Sequence, residues 1–173
     1  MRWLPAILAL SALPGAAQAR SPEALACAIK AAPPQLDDRL ADVVLAADPD
    51  KDKPATDALQ ALVDRCADDQ FLNAKERSAY FEYTLGRMAR DALDVRLADE
   101  RISAGLIDRA LDIGPGNANN PAEKVTAGDL RRVSMALAEA GTDPAKVTPV
   151  GWGLIKAWIV ATAQMMTGQR AFD

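Results

Sequence analysis

The chain has 173 residues and a formal net charge of −4, from 20 basic and 24 acidic side chains, and it contains no histidine. The acidic balance argues against a nucleic-acid partner, because phosphate binding needs clustered Lys and Arg. The lack of histidine excludes Ser-His-Asp and Cys-His catalysis, histidine zinc sites and haem held by a proximal histidine. We therefore expect no cofactor and no metal site.

The first 19 residues have the three-part layout of a secretory signal peptide. Arg2 lies beside the free amine, an apolar run covers residues 3–13, and Ala17-Gln18-Ala19 is a small-x-small cleavage triplet. The apolar run is well short of the ~20 residues that cross a bilayer. We expect cleavage after Ala19, export to the bacterial periplasm or the medium, and one domain at 20–173 without a membrane span.

The first predicted helix begins at Ser21-Pro22 and ends before Pro33-Pro34. A second carries one apolar face between Leu36 and Ala47. A third is expected to follow a polar linker, with Thr56 as its cap. Its apolar face consists of Leu59, Leu62, Val63 and Cys66.

The linker between the second and third helices alternates Asp48, Asp50 and Asp52, as calcium loops do. An EF-hand loop also requires Gly at its sixth place and Glu at its twelfth. Lys53 and Leu59 occupy those places. The segment is therefore predicted to be a solvated acidic linker.

Two cysteines, Cys27 and Cys66, lie beyond the predicted cleavage site. An even number in an exported chain favours a disulfide, here between the first and third helices. It would close a loop of about 40 residues and stabilise the fold by roughly 4 kcal/mol. Two alternatives stay open: buried free thiols, and lipidation of Cys27 in the lipobox-like Leu25-Ala26-Cys27.

Asn73 followed by Glu76 predicts a capping-box start for a fourth helix. Its end is placed near Ala98-Asp99, although no Gly or Pro marks that boundary. A fifth helix is expected over residues 102–113, because Gly114-Pro115 would stop it there.

Residues 114–128 contain three Asn and two Pro and are predicted to form a long, mobile surface loop. Thr126 or Gly128 begins the next predicted helix, and Gly141 closes it. The last helix begins at Thr148-Pro149 and is the most apolar, so we expect it at the centre of the bundle. Its small residues would let another helix approach closely; they are Gly153, Ala157 and Ala161.

No segment alternates with a period of two, so no sheet is predicted. The expected fold is all-α, a single compact bundle of six to seven helices.

Tyr80-Phe81-Glu82-Tyr83 places three aromatic side chains around one carboxyl. A Glu in an apolar pocket has a raised pKa and can act as a general acid. One hypothesis is therefore a carboxylate-only hydrolase that acts on cell-envelope glycan. Tyr80, Tyr83 and Arg87 would share a helix face that could bind a partner. The alternative is a packed aromatic cluster with an exposed Glu82.

Lys156 lies among apolar residues of the last helix and would be a nucleophile if it were desolvated. The alternative is that its stem covers apolar surface while its ammonium reaches water. A third hypothesis is a carrier of small apolar ligands, with a pocket lined by Trp152, Trp158 and Met165.

Tyr83-Thr84-Leu85-Gly86, with the later segment Arg109 to Pro115, resembles parts of a tetratricopeptide repeat over about 35 residues. Pro115 falls about five residues late for the 34-residue period, and no second copy occurs. Since such repeats need about three copies to be stable, the resemblance implies only a local helix-turn-helix.

The leading functional hypothesis is a non-enzymatic exported binding or interaction module with an unknown protein partner. No catalytic or metal-binding residues are assigned, and the binding residues are left unknown. The carboxylate hydrolase and the apolar-ligand carrier are the alternatives.

Overall fold

A computed structural model describes residues 22–113, 121 and 124–170. The predicted signal peptide, Ser21 and most of the predicted loop at 114–128 lie outside the described residues. The helices are α1 Pro22–Leu25, α2 Cys27–Lys30, α3 Leu36–Ala46, α4 Lys53–Asp69, α5 Ala74–Asp99, α6 Ala104–Leu111, α7 Ala127–Glu139 and α8 Pro149–Gln169, with a 3₁₀ turn at Pro144–Lys146.

The predicted all-α bundle is confirmed, since the described part of the chain contains helices and connections but no strand. If α1 and α2 are taken as one interrupted helix, the bundle has seven helices, within the predicted range. The pair α5–α6 also confirms the predicted helix-turn-helix.

Helices α5 and α8 form the longest packed pair and run antiparallel. At one end, Thr148 Oγ1 donates a hydrogen bond of 2.9 Å to Glu100 Oε2. Further along, the buried indole N–H of Trp158 donates to the Asp94 carboxylate. Leu154, Ile155, Ile159 and Met165 are buried with Trp158, so α8 occupies the centre of the bundle as predicted.

Two glycines allow the backbones of α5 and α8 to touch. A Cβ on Gly86 would lie 2.5 Å from the carbonyl oxygen of Ala161, and one on Gly168 would lie 2.5 Å from that of Ala79. A Cβ on Gly153 would have its nearest neighbour at 3.8 Å, which is ordinary contact. The close approach predicted for α8 is therefore made at Ala161 and Gly168, and Gly153 is not required for it.

We expect Gly86→Ala to destabilise the protein by about 3 kcal/mol or more, because backbone atoms cannot yield to an added methyl as side chains do. Gly153→Ala is the matched control and should be neutral or stabilise by up to about 1 kcal/mol. Urea unfolding of both variants tests this. Equal stability of the two variants would show that α5 and α8 are not in backbone contact.

The predicted disulfide is present, between Cys27 on α2 and Cys66 on α4, with the Cα atoms 6.0 Å apart. The disulfide is incompatible with both alternatives, buried free thiols and a lipidated Cys27, because each needs a cysteine sulfur that the bond already uses.

The interruption between α1 and α2 has a side-chain cause. The Tyr80 hydroxyl accepts the Ala28 N–H at 3.0 Å and lies 3.3 Å from the Ala24 carbonyl oxygen. It thus takes the place of the direct helical bond between Ala28 and Ala24. Gln70 Nε2 also donates to the Ala24 carbonyl, at 3.0 Å. Together with the disulfide, these bonds fix the first helix on α4 and α5.

Replacing both cysteines with alanine should lower the free energy of unfolding by roughly 2–4 kcal/mol, since the unfolded chain gains freedom when the loop opens. Urea titrations of the variant and of the wild type, each with and without reductant, measure this loss. The wild type with reductant should match the variant, and an unchanged midpoint in both would contradict the expectation.

The start of α4 corrects the sequence prediction. Thr56 is not the cap: it lies inside α4, and its hydroxyl donates to the Lys53 carbonyl at 2.9 Å. Asp52 caps the helix and accepts the Ala55 N–H at 3.2 Å. The carboxylate of Asp52 directly precedes a first turn containing Pro54, so the helix begins before Thr56.

The predicted bounds of the fifth helix are also wrong, since α6 covers only Ala104–Leu111. Ile102 belongs to the end of α5, where its N–H donates to the Leu97 carbonyl at 2.8 Å. Asp112 adopts a left-handed conformation with φ of 48° and ends α6 before Gly114.

Candidate functional site: a cleft between α3, α5 and α8

A cleft of about 390 Å³ opens where the end of α3 lies over α5 and α8. That volume falls within the range of pockets that hold small molecules, about 300–1,000 Å³. Three polar side chains line it: Asp48 in the linker after α3, Glu82 on α5 and Gln164 on α8. The larger apolar liners are Val43, Val44, Pro49, Phe81, Leu85 and Val160.

The turn after α3 forms one rim of the cleft. Ala47 adopts a left-handed conformation with φ of 51°, and the N–H of Asp48 donates to the Val43 carbonyl at 3.3 Å. Asp48 Oδ1 then accepts the Asp50 N–H at 3.0 Å. These bonds form the turn that ends α3, and the cleft between α3, α5 and α8 stays open beside this turn.

Glu82 is the ionisable side chain that α5 contributes to the cleft. It is partly buried, and burial raises the pKa of its carboxyl above the ordinary value for glutamate. Within the described residues it makes no ion pair or side-chain hydrogen bond. Several described arginines differ from Glu82 in this respect, since Arg39, Arg87 and Arg96 are each paired with aspartate.

Gln164 is the second polar group of the cleft without a complete set of partners. Its Oε1 atom is buried and lacks a hydrogen bond within the described part of the molecule. An unsatisfied buried acceptor costs about 1–3 kcal/mol. This oxygen is closed to solvent, so a ligand in the cleft does not reach it in this arrangement of the Gln164 side chain.

The aromatic cluster around Glu82 is divided between the core and the cleft. Tyr80 is fully buried beneath α1 and α2, while Phe81 lines the cleft beside Glu82. Tyr83 is partly buried against α8, and Arg87 Nε pairs with Asp91 at 2.8 Å. Tyr80, Tyr83 and Arg87 therefore do not form a free surface together.

The residues singled out on α8 lie away from the cleft lining. Lys156 is exposed, so its ammonium reaches water. Trp158 is buried in the core, where the Arg90 guanidinium lies 4.8 Å from its ring centre. Met165 is also buried, and Trp152 packs partly against the core. None of these residues is among the cleft liners.

The acidic linker serves the fold at one of its three alternating positions. Asp52 caps α4 and holds Arg39 with contacts of 2.6 and 2.7 Å. Over residues 22–113, 121 and 124–170, no group of three or more cysteine or carboxylate side chains is arranged to hold a metal ion.

We expect Glu82→Gln to stabilise the protein at pH 7, by a few tenths to about 1 kcal/mol after solvent screening. The pKa of the Glu82 carboxyl is higher in the folded protein than in the unfolded chain. At pH values between these two pKa values, the folded state therefore binds more protons than the unfolded state. The free energy of unfolding of the wild type therefore falls as pH rises through that range. The glutamine of Glu82→Gln does not titrate, so the variant does not lose this stability.

Urea unfolding at several pH values tests this, and the difference should vanish below about pH 4. Glu139→Gln, at an exposed position on α7, is the charge-matched control and should show no such trend. A Glu82→Gln variant less stable than wild type at pH 7 would instead reveal a stabilising role for the carboxylate.

Within the described residues, no helix combines the length and the apolar character needed to cross a bilayer. Comparison of the chain with protein-family models, with curated proteins and with solved structures found no match.

Proposed function

We propose that the protein is an exported, non-enzymatic binding protein that holds a small, largely apolar ligand in the α3–α5–α8 cleft. One observation carries the proposal: an apolar cleft contains the Glu82 carboxyl, which has no ion pair or side-chain hydrogen bond within the described chain. Binding pockets share this composition, with apolar walls that supply affinity and a few polar groups that orient the ligand.

Export is part of the proposal and is supported by two features. The N-terminal 19 residues have the signal-peptide pattern. The disulfide between Cys27 and Cys66 is typical of proteins that fold outside the reducing cytosol.

Binding is favoured over glycan hydrolysis by the second carboxyl of the cleft. Glycosidases need two carboxyl groups at a fixed separation across the scissile bond. Asp48 is exposed, lies in a linker, and already uses Oδ1 to accept the Asp50 N–H. Glu82 alone can hold a ligand group, but it does not supply both roles of a glycosidase.

The test uses N-phenyl-1-naphthylamine, a neutral apolar probe whose fluorescence rises on leaving water. The full mature chain should bind it saturably at one site. Val160→Phe fills the cleft from α8 and should weaken binding at least about tenfold, which corresponds to 1.4 kcal/mol. Val95→Phe is the matched control, because Val95 is 64% exposed on α5, and it should leave the affinity unchanged.

Circular dichroism and urea unfolding would establish that both phenylalanine variants fold. Absence of saturable binding by the wild type, or equal affinity in both variants, would remove the cleft as the binding site. Turnover of cell-wall glycan that Glu82→Gln abolishes would replace binding by catalysis as the function.

A further inference from the structure

The charged side chains that line the cleft favour one kind of head group among ligands that share the same apolar chain. Both charged liners, Asp48 and Glu82, are acidic, and neither Lys nor Arg is among the liners. We propose that the ligand is a cationic amphiphile, with a protonated amine held by Glu82 and an apolar chain lying along Phe81 and Val160. This inference rests on the proposed function and names its ligand class.

The arginines on α3 and α5, two of the three helices that border the cleft, do not reverse the preference for a cationic ligand. Arg39 on α3 is paired with Asp52 at 2.6 Å. On α5, Arg77, Arg87 and Arg96 are paired with aspartates at 2.5, 2.8 and 2.6 Å, and Arg90 lies over the Trp158 ring. A carboxylate ligand would therefore face Asp48 and Glu82 with no cation in the cleft wall to receive it.

A bound ammonium also compensates for the burial of Glu82. The side chain is partly desolvated and has no cationic partner within the described chain, so ionising it in the empty cleft is unfavourable. A cation favours the charged form of a nearby carboxyl. Binding should therefore release a proton near the raised pKa of Glu82, and affinity should increase as pH rises through it. Asp48 is the other titratable liner, and α8 contributes the neutral Gln164.

The experiment compares octylammonium, 1-octanol and octanoate, which share one chain and differ in the head group. Isothermal titration calorimetry on the full mature protein at pH 7 should give octylammonium about tenfold or more higher affinity than octanol, as expected for a charge-assisted hydrogen bond. Octanoate should bind most weakly. Glu82→Gln should bring the ratio of octylammonium to octanol affinity close to one.

Glu139→Gln removes the same charge at an exposed site on α7 and should leave that ratio unchanged. If both variants lower the ratio equally, the preference comes from the net charge of the protein, and the inference is overturned. Octanol or octanoate binding as tightly as octylammonium would overturn it as well, while the proposed function would stand. If none of the three compounds binds, the inference fails, and the naphthylamine titration decides separately whether the cleft is a binding site.

Discussion

The backbone contact between α5 and α8 is the constraint on which the rest of the structure depends. Gly86 and Gly168 each face a carbonyl oxygen of the other helix at a distance that excludes any side chain. The two contacts lie seven residues apart on each helix, about two turns, and they fix the register and the angle of the pair as well as its separation. Helices α2, α3, α4 and α6 pack on this pair, and α3 lies against both of its members.

Two of the largest buried side chains of this frame, Trp158 and Tyr80, have polar groups that find partners. Trp158 is fully buried, yet its N–H reaches the Asp94 carboxylate, and the Arg90 guanidinium lies over its ring. Tyr80 is equally buried and uses its hydroxyl to join the two parts of the first helix. Such satisfied groups fix one arrangement of neighbouring helices, because any other packing would leave a buried donor unpaired.

Arg90 Nε and Thr162 Oγ1 are buried without a hydrogen bond in the described part of the molecule, as Gln164 Oε1 is, but of these three residues Gln164 lines the cleft, together with Glu82. Glu82 is partly buried and Gln164 Oε1 is buried, and the chain turns at Ala47, where α3 ends beside the cleft. A polar side chain that lacks a partner and lies on the closely packed helices α5 and α8 suits ligand binding, because the protein does not have to reorganise when the ligand binds. For this reason we place the function in the cleft and not on the exposed faces of the helices.

The sequence by itself determined the helical class, the disulfide and most helix starts, because periodicity, cysteine number and caps such as Asn73 act over short distances. The sequence placed the end of α5 near Ala98-Asp99 although no glycine marks it, and the helix ends at Asp99. The buried side chain of Ile102 packs just beyond this end. Only the tertiary structure decided that Glu82 and Gln164 line the same cleft, since 82 residues separate them along the chain. Proximity of that kind depends on how helices pack, which no local pattern encodes.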